Sequence, residues 1–297
     1  VLRQLIAAVA PQFVYINLIF SPLFAIYPVW LAYTGKLSAK LILCPRGTLF
    51  KSALAVKTYK KLPLLKIYRW LGIQKGISFH ATTTQEAEAV LNYFPGSDVV
   101  IAPNLPAINQ PAYAELEKKE GELACIFVAR IVPIKNLLYV IDVLKTASFR
   151  VQLTIVGPIE DEQYWEHCKS KIATLPFNVV INFLGAQPAT AIPALLQKHH
   201  LFFLPTTGEN FGHSIFEALS VGRPVLISDQ TPWLDLDKEN CGWHFPLAQT
   251  SLFVEKLHDL AAMQQAGFNA LSQRAWAYAK RYIENGELTK PYYELFS

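Results

Sequence analysis

Two carboxylates eight positions apart, Glu209 and Glu217, stand in the stretch LPTTGENFGHSIFEALSVGRPVLIS, residues 204–228. An apolar strand runs into a glycine-containing loop that carries Glu209, and a helix expected to begin near Phe211 carries Glu217. Ile215, Phe216, Ala218 and Leu219 flank Glu217, and a carboxylate in so apolar a helix is costly to bury unless something pairs with it. A ligand hydroxyl is one such partner. Eight helical residues rise about 12 Å, so the two carboxylates can grip separate parts of one elongated ligand. The helix N-terminus lies between them, where unpaired amides and the helix dipole favour a phosphate. Spacing alone favours a Glu209 that merely charges a helix N-terminus and a Glu217 paired in the core or at its edge.

A second constellation is FVARIVPIKN, residues 127–136, where a strand enters a loop carrying Arg130 and Lys135 at the carboxyl edge of a predicted sheet. Ligands of open α/β sheets gather at that edge. A planar guanidinium and a compact ammonium together can neutralise a diphosphate, at rest and as a leaving group. Two basic loop residues are also often only solvated. Taken with the carboxylates, they match the order sugar, diphosphate, ribose, base of a nucleotide-diphosphate sugar. Weaker signals surround these. Asp235-Leu236-Asp237 has the Asp-x-Asp spacing of a metal motif but reads as a solvated loop, so no metal is expected. His80 follows a strand and precedes Thr82, Thr83 and Thr84, which can cap the next helix. His199 and His200 end a helix, where cationic character suits the dipole, and His213, in the first turn after the loop, fits either an approach to a sugar or a purely structural surface role.

The elements that must position these residues alternate. From Leu123 onward, LACIFVA, VQLTIVG, VVINFLG, LFFLP and RPVLIS read as buried strands separated by helical periodicity, the pattern of a parallel sheet wrapped by helices. FVYINLIF, LILCP, GISFHAT and DVVIAPN repeat it more faintly in the first part. Two α/β domains are expected, 1–106 and 107–276, joined by PNLPAINQPAYAELEKKEGEL with its Pro103, Pro106 and Pro111. The end of the chain reads as helix from Leu271, with 277–297 expected to pack back on the first domain.

The uncharged run Leu5–Tyr33 has the length of a membrane span, about 20 residues, but Pro11, Pro22 and Pro28 break it into a strand, a loop and a short apolar helix. Four separated cysteines, Cys44, Cys125, Cys168 and Cys241, form no Cys-x-x-Cys pair, and with no Asn-x-Ser/Thr sequon they fit a reducing, cytoplasmic setting. Residues 1–85 hold eleven Lys/Arg and no Asp or Glu, against sixteen basic and twenty-three acidic residues afterwards. A net +11 beside −7 suggests attraction to anionic head groups on the inner membrane face or to a phosphorylated acceptor, or simply a solvated basic face.

The stretch 204–228, with Glu209 and Glu217 as Glu-x7-Glu, resembles the donor-site signature of the large retaining GT-B glycosyltransferase family of family 4, group 1 type, typified by bacterial polysaccharide and lipopolysaccharide enzymes. Arg130 and Lys135 match its Arg and Lys positions, VGPIED resembles its glycine turn at Gly157, and TPWLDLDKENCGWHFPL resembles a stretch common among members. PRGTLFKSALAVKTYKK and FHATTTQEAEAV extend the likeness into the first domain. The resemblance implies two Rossmann-like domains facing across a cleft, acceptor on the first and donor on the second. It implies that Arg130 and Lys135 hold the diphosphate, Glu217 the ribose and Glu209 the sugar, with backbone amides from Asn210, Phe211 and Gly212. Transfer would retain anomeric configuration without a metal or other cofactor, from a nucleotide-sugar substrate to a glycan or lipid-linked acceptor. Many relatives place a His after the strand Leu41–Cys44 where this chain has Pro45-Arg46-Gly47, so Arg46, Gly47 and His80 are the candidates on the acceptor side. The glycine-rich turn that usually opens the first domain is not visible, which suggests an N-terminal truncation. A GT-B sugar-nucleotide epimerase and a nucleotide-sugar-binding protein without turnover share these features. A dehydrogenase is disfavoured by the missing Gly-x-Gly-x-x-Gly, a P-loop enzyme by the missing Walker motif, and no nucleic-acid partner is indicated.

Overall fold

The computed structural model describes residues 2–55, 58–106 and 110–297. Val56 and Lys57, within the basic stretch from Pro45, and residues 107–109, within the proline-marked linker, lie outside the described residues. The chain divides into two compact units, Val1–Leu105 with Gly286–Ser297, and Pro106–Asn285.

The first unit is built on a parallel sheet of β1 (Phe13–Asn17), β2 (Lys40–Cys44), β3 (Ile77–Ala81) and β4 (Asp98–Ile101) in that order. Its strands are short apolar runs; β2 and β3 are buried almost throughout, as a sheet covered on both faces requires. Its helices are α1 (Leu2–Val9), α2 (Tyr27–Tyr33), α3 (Lys51–Ala55), α4 (Thr58–Trp70) and α5 (Thr84–Tyr93). The run Leu5–Tyr33 thus resolves into α1, β1, a π-helical turn at Pro22–Ile26 and α2, and no described helix is long and apolar enough to cross a membrane. Helix α1 was not expected from the sequence. Because each strand pairs in parallel with the next and the order steps one way, right-handed crossovers put α2, α4 and α5 on one face. Thr83 caps α5 by accepting from the amide of Glu86, as the threonine cluster suggested.

The second unit carries a six-stranded parallel sheet from β5 (Glu122–Val128), β6 (Arg150–Val156), β7 (Val179–Gly185), β8 (Leu201–Leu204), β9 (Val225–Ser228) and β10 (Gly242–Phe245), ordered β10-β9-β8-β5-β6-β7. That is the doubly wound Rossmann order. Its helices are α6 (Leu137–Leu144), α7 (Glu162–Ile172), α8 (Ile192–Leu196), α9 (His213–Ser220), α10 (Thr250–Ala262) and α11 (Gln265–Glu284). Edge strand β10 had no sequence signal beyond its family-like stretch. Four of the five strands expected here lie at the centre of a continuous core that includes Phe127, Leu153, Phe202, Phe203 and Ile227. The fifth, β7, is an edge strand with Val180, Phe183 and Leu184 exposed. Arg223, fully buried, donates to the carbonyls of Ala114 and Gln197 and to Ser272 Oγ, fastening the chain between α9 and β9.

After Asn285 the chain rejoins the first unit as α12 (Lys290–Leu295), where Leu295 packs with Ile42 and Val100 on the sheet face opposite α2, α4 and α5. The unit boundary falls at Asn285/Gly286 rather than after residue 276, because α11 runs unbroken to Glu284 and its buried face, including Ala275, Tyr278 and Ala279, belongs to the second core.

Candidate active site at the carboxyl edge of the second sheet

Strand order reverses between β5 and β8: the chain winds outward from β5 to β6 and β7, then returns to lay β8 on β5's other side. Loops leaving the carboxyl ends of β5 and β8 therefore diverge and leave a crevice, the place where open α/β sheets bind ligands. The loop after β5 carries Arg130 and Lys135, and the loop after β8 carries Glu209, so all three lie at this switch point.

Within it, the Lys135 ammonium donates to the Glu209 carboxylate, both side chains being mostly buried. The contact is held from below by a set of bonds between the two loops. Thr206 Oγ1 and the Thr207 amide both donate to the Ile134 carbonyl, at 2.9 and 2.8 Å, and Asn136 Nδ2 donates to the Pro205 carbonyl at 2.9 Å. Ser228 Oγ, at the end of β9, donates to the Thr206 carbonyl, and the Glu209 amide donates to the Gln230 carbonyl at 3.0 Å. Sequence reasoning missed Thr206, Ser228 and Asn136; the signal was there in Asn136, which stands in the left-handed region at φ 61° immediately before α6.

Helix α9 begins at His213, two residues later than expected, with Gly212 at φ +80° as its N-cap. A Cβ there would meet Ile215 Cδ1 at 2.6 Å and Glu209 Cγ at 3.2 Å, so glycine lets the turn close against Glu209. The amides of Asn210, Phe211 and Gly212 donate to no group among the described residues. The Phe211 ring is buried among Phe216, Trp233 and Tyr282, and Trp233 Nε1 donates to the Phe211 carbonyl. That aromatic cluster fixes the backbone of this turn. One helical stretch further, Glu217 is half-buried and its carboxylate has no hydrogen bond or ion pair among the described residues. Burial pushes its pKa above the usual carboxylate range. The core or edge partner that the spacing left open for Glu217 is not found among the described residues.

Arg130 lies apart from the Lys135–Glu209 pair, donating from Nη1 to Glu160 Oε2 at 2.7 Å across exposed surface. Gly157 supports its backbone: a Cβ there would sit 1.9 Å from the Ala129 carbonyl oxygen and 3.3 Å from the Arg130 amide nitrogen, so only glycine lets β5 and β6 close at this edge.

The candidates of the first unit form a self-contained group. His80, buried in β3, lies with Nε2 2.7 Å from the Ala102 carbonyl and Nδ1 2.5 Å from Tyr15 Oη. Nε2 must carry the proton to satisfy a carbonyl, so Nδ1 accepts from the tyrosine, and burial holds the imidazole below its ordinary pKa. Arg46, at φ 53°, donates to Asn17 Oδ1 at 3.0 Å, to Asn104 Oδ1 and, more weakly, to Tyr15 Oη. The Gly47 amide donates to Glu86 Oε1 at 2.5 Å, while Glu86 Oε2 accepts from the amide and hydroxyl of Thr82, both at 2.7 Å. Glu86, fully buried, was not singled out in the sequence.

His199 and His200 are not cationic helix ends. Both are buried and held below their ordinary pKa by desolvation, His200 to about 4. They tie strands together: His199 reaches Thr154 Oγ1 at 2.7 Å, and His200 accepts from the Ala124 amide at 2.9 Å. Asp235 accepts from Tyr278 Oη at 2.9 Å and, with Asp237, is exposed; no group of metal-ligating side chains occurs among the described residues. His213 is exposed and lies against the Phe211 ring, centroids 4.8 Å apart.

Residues 110–285, more than half of the chain, match the family described as glycosyl transferases, group 1, and the protein belongs to that family. No curated protein sequence matches the chain. Among solved structures, Anabaena HepE in complex with UDP and glucose superposes with a TM-score of 0.73 at 16% identity, over 99% of this chain and 81% of that one. WaaG, a glycosyltransferase of lipopolysaccharide biosynthesis, gives 0.67 at 14% over 99% and 80%. The sucrose-phosphate synthase of Thermosynechococcus elongatus gives 0.72 at 14% over 99% and 76%. At these identities the likeness establishes the α/β GT-B fold.

Proposed function

We propose that the second unit binds a nucleotide-diphosphate sugar at the β5/β8 switch point and transfers the sugar, with retained configuration, to a glycan or lipid-linked acceptor bound by the first unit. The observation that carries this reading is the Lys135–Glu209 pair set beside three undonated amides at Asn210–Gly212, with the unpaired Glu217 further along the same helix. Each member of the pair neutralises the other. A diphosphate arriving at the amides offers Lys135 a second anion, and Glu209, released, becomes an acceptor for sugar hydroxyls. Glu217, whose carboxylate form burial disfavours, recovers stabilisation by accepting from the ribose hydroxyls. Arg130 leaves Glu160 for the same diphosphate.

In the transfer step the anomeric C–O bond to the diphosphate breaks, the acceptor oxygen bonds to the same face of the sugar, and the acceptor proton passes to the departing phosphate oxygen. Lys135 and the amides stabilise charge that grows on that leaving group, so they bind the transition state more tightly than the donor. No metal is needed for this division of labour, since the cation and the amides supply the positive field. The polysaccharide or lipopolysaccharide setting rests on family likeness, and the basic first unit supports work beside an anionic membrane on its cytoplasmic side.

A thermal-shift panel of UDP-, GDP- and ADP-sugars tests the reading, because a ligand that binds only the folded state raises its melting point. One of them should do so, and Lys135→Ala should abolish the shift. A flat panel, or a shift indifferent to Lys135, contradicts the proposal. The anomeric configuration of the product, read by NMR, tests retention.

A further inference from the structure

Among the described residues of 1–105, thirteen large apolar side chains stand exposed, and three of them occupy one helix: Tyr59, Ile67 and Trp70 on α4, at 72%, 49% and 83%. Helical geometry aligns them. At 100° per residue, positions 59, 63, 67 and 70 fall within one quadrant, while buried Leu65 and Tyr68 lie on the opposite side against the sheet. The outward stripe of Tyr59, Pro63, Ile67 and Trp70 is bordered by Lys60, Lys66 and Arg69, all exposed and none in an ion pair among the described residues. Helix α4 buries Leu65 and Tyr68 on one side and presents Tyr59, Ile67 and Trp70 to solvent on the other, so it is apolar on both sides, unlike an ordinary surface helix.

The surroundings share the character. Helix α2 lies in the same layer as α4 and exposes Trp30 and Tyr33, and the turn before it exposes Phe24. No Asp or Glu occurs before Glu86, so nothing on α2 or α4 offsets the cations. Between α4 and α5 a shallow groove of about 270 Å³ has Leu62, Leu65 and Tyr93 as walls and Lys66 and Arg69 at its rim. Cations alone would suit any polyanion. Ile67 and Trp70 set between them favour a surface with an apolar interior beneath an anionic face, which describes a bilayer and not a nucleic acid.

We propose that the outward face of α4 docks this protein on an anionic lipid bilayer, with Tyr59, Ile67 and Trp70 entering the head-group region and Lys60, Lys66 and Arg69 pairing with lipid phosphates. The proposal deepens the membrane-side part of the function above and is independent of donor binding. It would hold the first unit, helix layer down, against the surface from which a lipid-linked acceptor is presented.

Sedimentation of the whole protein with vesicles tests it. Vesicles containing roughly one-third phosphatidylglycerol should carry the protein down and pure phosphatidylcholine vesicles should not. The triple variant Lys60→Gln/Lys66→Gln/Arg69→Gln should lose on the order of 100-fold in partitioning, at about tenfold or less per charge. The triple Tyr59→Ser/Ile67→Ser/Trp70→Ser should lose binding that high salt does not restore, and brominated phosphatidylglycerol should quench wild-type tryptophan emission far more than that of Trp70→Ser. These side chains are exposed, so the variants should keep the wild-type melting temperature and donor-induced shift, which separates failure here from failure of the donor reading. Equal binding to both vesicle types, unchanged sedimentation of the charge variant, or capture of single-stranded RNA in place of vesicles at equal salt would overturn the proposal.

Discussion

At the carboxyl edge of the first sheet the polar groups are occupied by one another: His80 by Ala102 and Tyr15, Glu86 by Gly47 and Thr82, Arg46 by Asn17 and Asn104. At the same edge of the second sheet they are not. Three successive amides donate to nothing among the described residues, and the Glu217 carboxylate is half-buried without a partner. The two sheets share parallel construction and similar strands, so the difference lies in what the loops leave open. Polar groups that the protein leaves without a partner are free to meet water or a ligand, and the two edges differ in how many they keep. A self-satisfied edge makes a rigid platform, with the half-buried Arg46 guanidinium held inside it.

The sharpest way to break this contrast is Lys135→Ala. Loss of the cation beside the leaving group should lower kcat/KM by about 100-fold or more, measured as sugar transfer once the donor is known; a change within about threefold would deny the second edge its role. Glu217→Gln comes next. Removing a charged acceptor from the ribose should weaken donor binding by about tenfold to 100-fold, read by titration calorimetry. The same variant should melt higher than the wild type at neutral pH, with a definite sign. Burial raises the folded pKa of Glu217, so the folded chain holds the proton to higher pH than the unfolded one, and stability falls as pH rises from the ordinary carboxylate value through the raised one. Glutamine removes that loss. A variant that binds donor normally, or melts lower, would return Glu217 to a structural role.

On the first edge the effects should fall on other observables. His80→Phe strands the Tyr15 hydroxyl and the Ala102 carbonyl and should cost about 1–3 kcal/mol of stability, seen as a lower Tm with unchanged donor affinity. Arg46→Ala should raise the acceptor KM by roughly threefold to tenfold while leaving the donor-induced thermal shift intact. Loss of donor binding in either variant would erase the distinction between the two edges.

What the sequence disclosed follows the same line. The strands were legible because parallel sheets bury both faces and write themselves as continuous apolar runs: LILC, LACIFV and LFFL all became strands. The pairing of Lys135 with Glu209 was not, since the two lie 74 positions apart and meet only because β8 returns beside β5. Glu217 was visible as a charge out of place among apolar neighbours, whereas Glu86 was hidden because its partners are mainly backbone amides, which spacing does not encode. His199 and His200 misled for a related reason: adjacency to a helix end suggested charge, but tertiary burial decides their protonation. Edge strand β10 and helix α1, at the margins of their units, carried the weakest patterns.

The most direct test of the whole account is a crystal of the protein soaked with the nucleotide sugar that gives the largest thermal shift. The account predicts phosphate oxygens within hydrogen-bond distance of the Asn210–Gly212 amides and of the Lys135 ammonium, with Glu217 on the ribose and Glu209 turned to the sugar. Density for the diphosphate at any other edge, with Lys135 still bound to Glu209, would contradict it.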